Sequence, residues 1–372
     1  MISNPINQIK KIGQSIWYDD LSKELISSGN LEKLVRRGIT GVTSNPSIFN
    51  KAISSGNEYD SSLNTLNKKQ FNIQQIYENL TVEDIKNAAD VLRPVYEKTN
   101  KKDGYVSLEV NPHFANDISA TVSEAEKLFN KLNKSNVMIK VPATEKGIDC
   151  VEHLISKGIN VNITLIFSLK KYEKVRNAYI NGLIKRLNSG EMIENISSVA
   201  SFFVSRVDSK VDPLIESNSN LSVMQKEHLL GTIAISNAIL AYKDFRNDFY
   251  SDKFKKLQDH GAMIQKPLWA STSTKNPKYP NTHYVENLSM KNTINTMPEA
   301  TFNLVEQRLS IKPCYSPNDA LKNIQLLQNA NIDLDTIAKE LLNEGIKLFS
   351  DSYDELQGNI SRKISNLHKD IE

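Results

Sequence analysis

Lys140 stands in the run Asn136-Val137-Met138-Ile139-Lys140-Val141-Pro142-Ala143-Thr144. Branched apolar residues closed by a proline predict a short buried strand. Side chains alternate on a strand, so Met138 and Lys140 share one face while Val137, Ile139 and Val141 take the other. If both faces are buried, as in α/β sheets, the amine is cut off from bulk water. Desolvation disfavours a charged amine and leaves a neutral one able to attack a carbonyl. A Schiff-base lysine needs that property. A strand-end lysine snorkelling into solvent would read the same in this stretch alone. The neighbouring segments therefore decide.

Several of them carry polar residues on one face only. In Tyr105-Val106-Ser107-Leu108-Glu109-Val110, Ser107 and Glu109 alternate with aliphatics. Asn160, Asn162 and Thr164 do the same in Ile159-Asn160-Val161-Asn162-Ile163-Thr164-Leu165. Trp17 shares a face with Asp19, and Ser201 with Phe203. If the aliphatic faces meet outer helices, the polar faces point inward. Adjacent strands lie about 4.8 Å apart, so Glu109, Lys140 and Thr164 are expected side by side in one pocket. For Asn160 alone a structural hydrogen bond is the better reading. Two carboxylates and an amine buried together are costly without a purpose.

Such a pocket needs a scaffold. Strands are expected at 15–19, 39–44, 105–110, 137–142, 159–167, 199–204, 267–271 and 293–297. Helical patterns lie between them: 22–37 interrupted at Gly29, then 81–98, 119–132, 144–157, 168–188 and 221–249. Thr81 and Asp84 form a capping-box pattern, and Pro94 predicts a kink. From Glu299 the pattern is helical, with Leu321, Ile324, Leu326, Leu327, Ile337, Leu341, Leu342, Ile346 and Leu348 as its apolar positions. About eight strands, each followed by helix, point to a (β/α)₈ barrel with helical insertions. The whole chain, 1–372, is expected to form one domain, with a helical extension over about 299–372. A doubly wound open sheet is the alternative, but no G-x-G-x-x-G or Walker A turn follows any strand.

Composition narrows the function classes. The chain has 372 residues, 39% hydrophobic and 24% charged, as in ordinary globular proteins. Net charge is +3 with lysines spread among acidic residues, so no nucleic-acid partner is expected. No apolar run approaches membrane-spanning length. Met1-Ile2-Ser3-Asn4-Pro5 carries no apolar leader. The two cysteines, Cys150 and Cys314, are far apart, so a disulfide framework is not expected and a cytoplasmic location fits. His153 and His260 are lone histidines without metal-ligand spacing.

With these residues assembled, the sequence resembles the transaldolases, closest to their longer bacterial subfamily. The resemblance spans about 15–299. It rests on Val42-Thr43-Ser44-Asn45-Pro46, on 137–144 as quoted, on Asn160-Val161-Asn162-Ile163-Thr164-Leu165-Ile166-Phe167-Ser168, on Ala200-Ser201-Phe202-Phe203-Val204-Ser205-Arg206-Val207-Asp208, and on Trp269-Ala270-Ser271-Thr272-Ser273-Thr274-Lys275-Asn276-Pro277.

The resemblance implies a metal-independent class I aldolase-type barrel of the pentose phosphate pathway, without cofactor. Its reaction moves a dihydroxyacetone unit from sedoheptulose 7-phosphate to glyceraldehyde 3-phosphate, giving erythrose 4-phosphate and fructose 6-phosphate. By resemblance, Lys140 is the Schiff-base residue and Asp19 the general acid/base, with Asp20 facing outward or capping the next helix. Glu109 and Thr164 hold the catalytic water. Asn45, Asn162 and Ser201 contact substrate, on the face that Phe203 shares. Arg206 and Ser271 bind phosphate. The better-known branch has a second arginine shortly after that serine. Here the nearest basic residue is Lys275, a point charge rather than a fork. A related aldolase branch releases the three-carbon unit freely and carries glutamine and tyrosine where this chain has Glu109 and Phe203. A non-catalytic sugar-phosphate-binding barrel would not need a desolvated lysine beside an acid. The helical tail can cover the pocket or join two copies into a homodimer, and the sequence does not choose.

Overall fold

The computed structural model describes residues 5–312 and 315–369, so Cys314 and Met1–Asn4 lie outside the described residues. Eight parallel strands close into a barrel in sequence order, β8 pairing back onto β1. Helix α1 (Pro5–Ile12) precedes β1 (Ser15–Tyr18). Two short helices, α2 (Lys23–Ser27) and α3 (Asn30–Arg37), lead to β2 (Gly41–Val42). An insertion of α4 (Pro46–Ser54), α5 (Asp60–Lys68) and α6 (Ile73–Lys98) precedes β3 (Val106–Glu109). Then follow α7 (Ile118–Leu132), β4 (Val137–Pro142), α8 (Glu145–Ser156), β5 (Val161–Ile166), α9 (Leu169–Asn188) and β6 (Ser198–Phe203). Four helices, α10 (Ser205–Ser217), α11 (Val223–Leu229), α12 (Ile233–Phe249) and α13 (Asp252–Gln258), separate β6 from β7 (Lys266–Ala270). The chain ends with α14 (His283–Asn287), β8 (Ile294–Met297), α15 (Glu299–Gln307), α16 (Pro317–Asn329) and α17 (Leu334–Lys369).

Register decides what meets in the barrel. Glu109 on β3 pairs with Lys140 on β4, and Lys140 pairs with Asn162 on β5. Thr164 pairs with Pro142 instead, one step toward the C-terminal end. The expected row of Glu109, Lys140 and Thr164 is thus staggered. Just past Thr164, β5 bulges, with Leu165 in the left-handed region at φ 60°. Bulges re-aim side chains beside active sites.

Several local expectations change. Helix α6 begins at Ile73, capped by a reciprocal box between Asn72 and Gln75. Thr81 is inside it, donating to Tyr77 O at 3.1 Å, and Asp84 accepts from Tyr59 Oη at 2.7 Å. Ile76, Tyr77 and Leu80 extend the buried stripe upstream, so packing outweighs the capping pattern at Thr81. The helix is continuous through Pro94 to Lys98, as the sequence reading has it. The expected helix over 221–249 is two, broken at Gly231, whose φ is +70°. Ser22, rather than Asp20, caps α2 by accepting from Leu25 N. The break at Gly29 occurs as the sequence reading has it.

Helix α17 crosses the structure on a single face. Gly345, Phe349, Tyr353, Leu356 and Ile360, spaced like one helical stripe, are buried. Gly345 lets the helix lie against the bulge, since a Cβ there would come within 2.7 Å of the Leu165 side chain. Tyr353 meets Tyr77 edge to face, with centroids 5.2 Å apart. A polar ridge holds α17 to α4: Ser352 with Ser47, Glu355 with Asn50, and Asn359 with Asn50 and Ser54. Among the described residues no helix is long and apolar enough to cross a membrane.

Candidate active site

The C-terminal ends of the strands surround a cavity of about 200 Å³. Asp19, Asn45, Lys140, Thr164, Ser201, Phe203, Arg206, Ser271 and Lys275 line it. These come from the end just after β1, the β2–α4 turn, β4, β5, β6, the start of α10 and the segment after β7. Active sites of such barrels sit at this end.

Lys140 is the buried centre, 4% exposed. Its Nζ donates to Ser44 O at 3.1 Å and lies 3.2 Å from Glu109 Oε2. The second contact is an ion pair without hydrogen-bond alignment, and Glu109 Oε2 is left without a hydrogen-bond partner. Burial pushes the Glu109 carboxyl above its usual range, against the pull of the Lys140 charge, and Asp19 adds to the rise. Thr164 Oγ1 is likewise buried with no partner. Phe349 of α17 closes the other side, its ring centroid 5.6 Å from Lys140 Nζ.

Asp19 is held by hydroxyls. Thr43 donates to Asp19 Oδ1 at 2.6 Å, so Thr296, 2.8 Å away, must donate to Thr43. Asp20 does not line the cavity. Burial raises its carboxyl, with Lys51 pulling the other way.

Not every predicted contact residue faces the cavity. Glu109 and Asn162 are not in its lining. Asn162 donates to Ser107 Oγ at 3.0 Å and accepts from Ser201 Oγ at 2.7 Å, bridging β3, β5 and β6. Asn160 is structural, donating to Ser135 O and Val137 O and accepting from Ser197 N. Asn45 has two placements at once. It lines the cavity, and its Oδ1 caps α4 through Ile48 N at 3.0 Å.

The outer rim is cationic. Arg206 Cζ lies 5.5 Å from the Phe203 ring centroid, and burial lowers the guanidinium, with Glu344 and Asp19 opposing. Its neighbour Asp208 is engaged elsewhere, accepting from Ala234 N and Tyr284 Oη. Ser271 takes the left-handed conformation at φ 55°, and its Oγ is 3.0 Å from Ser205 Oγ. Such strained positions cluster at functional sites.

A family model described as transaldolase/fructose-6-phosphate aldolase matches residues 16–360. The chain is 43% identical to transaldolase 2 of Nostoc punctiforme over 378 residues, covering 99% of each. It is 40% identical to a transaldolase of Trichodesmium erythraeum, again over 99% of each chain. A transaldolase of Thermobifida fusca is 38% identical over 98% of this chain and 99% of its own. The chain belongs to the transaldolase/fructose-6-phosphate aldolase family.

In this family member, sequence reading missed six lining residues: Thr43, Ala270, Ser273, Thr296, Pro298 and Phe349. Thr43 stands inside a quoted motif, beside Asn45. Phe349 could have been found from its spacing with Gly345 and Tyr353. For Ser273, Thr296 and Pro298 the sequence offers no periodic signal, since they lie where strands give way to loops. Among the described residues no group of three or more histidine, cysteine or carboxylate side chains could hold a metal ion.

Proposed function

We propose that this protein is a transaldolase that carries a three-carbon ketol unit on Lys140 between sugar phosphates. The observation that carries this reading is one buried lysine, 3.2 Å from a buried carboxylate, on the fourth strand of a closed barrel. Relatives that are full-length matches and bear the name transaldolase support it.

In this reading Lys140 passes a proton to Glu109, 3.2 Å away, and the neutral amine attacks the C2 carbonyl of a ketose phosphate such as sedoheptulose 7-phosphate. Loss of the C2 oxygen as water leaves an iminium. Glu109 moves the protons of that step through a water that it shares with Thr164. Both oxygens are buried and unpartnered, which makes a bound water favourable there. The iminium then serves as electron sink. Asp19 takes the C4 hydroxyl proton, the C3–C4 bond breaks, and its electrons move into the enamine as the aldose leaves. Thr43 and Thr296 orient Asp19. The enamine waits for an acceptor aldehyde such as glyceraldehyde 3-phosphate, which predicts ping-pong kinetics. Ser201, Asn45 and Phe203 shape the donor end, and Asn162 positions Ser201. Arg206, Ser271 and Lys275 receive the phosphate. A cytoplasmic location and a homodimer belong to the same reading.

The test is substrate partition. Sedoheptulose 7-phosphate with glyceraldehyde 3-phosphate should react much faster than fructose 6-phosphate is cleaved to free dihydroxyacetone. Release of dihydroxyacetone as fast as transfer would mark a fructose 6-phosphate aldolase instead.

A further inference from the structure

The segment between β7 and α14, residues 271–282, has no helix or strand of its own. It nonetheless contributes Ser271, Ser273 and the exposed Lys275 to the cavity wall. A lysine on an unsupported loop is a poor phosphate ligand, because ordering it at each binding event costs conformational entropy. Something must hold the loop in advance.

The structure supplies a specific anchor. Tyr279 Oη donates to Asp212 Oδ2 at 2.6 Å. Asp212 is 4% exposed and lies on α10, the helix whose first turn carries Arg206. Its other oxygen accepts from Gly231 N at 3.1 Å. The Tyr279 ring stacks on His283, with centroids 5.2 Å apart and planes 25° apart. A ring nitrogen of His283 lies 2.8 Å from Gly231 O. The ring passes so close over Gly231 that a Cβ there would sit 2.7 Å from Tyr279 Cζ. At φ +70° Gly231 also occupies a conformation that L side chains resist. The break between α11 and α12 is therefore shaped to receive this tyrosine.

We infer that Tyr279 is a positioning residue for phosphate recognition, fixing the Lys275 loop to the Arg206 helix through Asp212. It does not line the cavity. It sets the distance between two cationic groups that come from different elements, so the rim meets a phosphate already assembled. The inference rests on the transaldolase reading and adds to it the reason why a lysine on a loop can serve where a fork-shaped arginine is absent.

The test compares a phosphorylated and an unphosphorylated donor. In Tyr279→Phe the ring stays and the bond to Asp212 goes. Its KM for fructose 6-phosphate should rise about tenfold, while borohydride trapping by dihydroxyacetone, which has no phosphate, should not weaken in step. Gly231→Ala, which displaces the ring, should give the same pattern by a separate route. Adding Tyr279→Phe to Lys275→Ala should cost no more than Lys275→Ala alone, because the tyrosine acts through the lysine. Equal losses with both donors would make Tyr279 a general structural residue and overturn the inference, as would an unchanged KM or fully additive losses. A wild-type protein that dihydroxyacetone and borohydride fail to label would remove the transaldolase reading itself, a result distinct from any of these.

Discussion

At the scale of single residues, the two adjacent aspartates separate sharply. Asp19 lines the cavity and accepts from Thr43, whereas Asp20 lies outside it. A general acid/base group typically contributes about 10²–10⁴-fold to rate. Asp19→Ala should therefore lose turnover on that scale while Asp20→Ala stays active in the transfer assay. The reverse ranking would place the catalytic carboxylate on the wrong side of β1. Phe203 and Glu109 set a second residue-scale expectation. The Phe203 ring offers no acidic proton to the enamine, and a tyrosine hydroxyl there would. Phe203→Tyr, especially with Glu109→Gln, should shift product toward free dihydroxyacetone, measured against fructose 6-phosphate consumed. An unchanged ratio would mean that protonation is controlled elsewhere. Lys140, Glu109 and Ser201 were legible in the sequence because strand parity sets a polar residue against aliphatic neighbours. Parity alone could not tell that Asn162 bridges Ser107 and Ser201, because those partners come from two other strands. The hydroxyl pair Thr43 and Thr296 was illegible as a pair, because only barrel closure brings the two residues together.

Among the elements, α17 departs most from what its sequence suggested. The apolar positions read along it included Leu348, which is 46% exposed, while Phe349 next to it is buried against Lys140. One helical step is about 100°, so a count of apolar residues does not say which face docks. Gly345 decides the docking, because a side chain there would strike Leu165 on the β5 bulge. The bulge has no periodic signal. Phe349 then covers the amine one helical turn later. Removing that ring should admit water to the enamine. Phe349→Ala is expected to raise free dihydroxyacetone release several-fold relative to transfer, followed by coupled assays of both products. Equal slowing of both would assign the ring to substrate binding. The eight barrel strands were legible in number and place, because fully buried parallel strands read as short apolar runs, although β2 spans only Gly41–Val42 of the expected 39–44. The start of α6 was not, because Asn72 and Gln75 cap it well upstream of the Thr81 pattern.

For the molecule as a whole, buried carboxyls give stability a definite pH dependence. Burial lifts Asp208 from 3.8 to about 7, with Asp212 adding to the rise, and burial lifts Asp84 to about 7 as well. A carboxyl whose folded pKa is raised keeps a proton that the unfolded chain has already lost. Stability conferred by that proton is present below the unfolded value and is lost as pH climbs through the folded one. The melting temperature should therefore fall between about pH 4 and 7 and level off above, and Asp208→Asn should flatten the slope. A melting temperature that rises across this window would show that other groups dominate. The catalytic expectations depend on one claim, that the barrel presents a buried amine to a ketose carbonyl. The direct measurement is borohydride reduction in the presence of fructose 6-phosphate, followed by peptide mass mapping. A three-carbon adduct on Lys140, absent in an inactive Lys140→Arg variant whose guanidinium cannot deprotonate in the working range, is the predicted result. An adduct on Lys146 or Lys157, or no adduct, would contradict it.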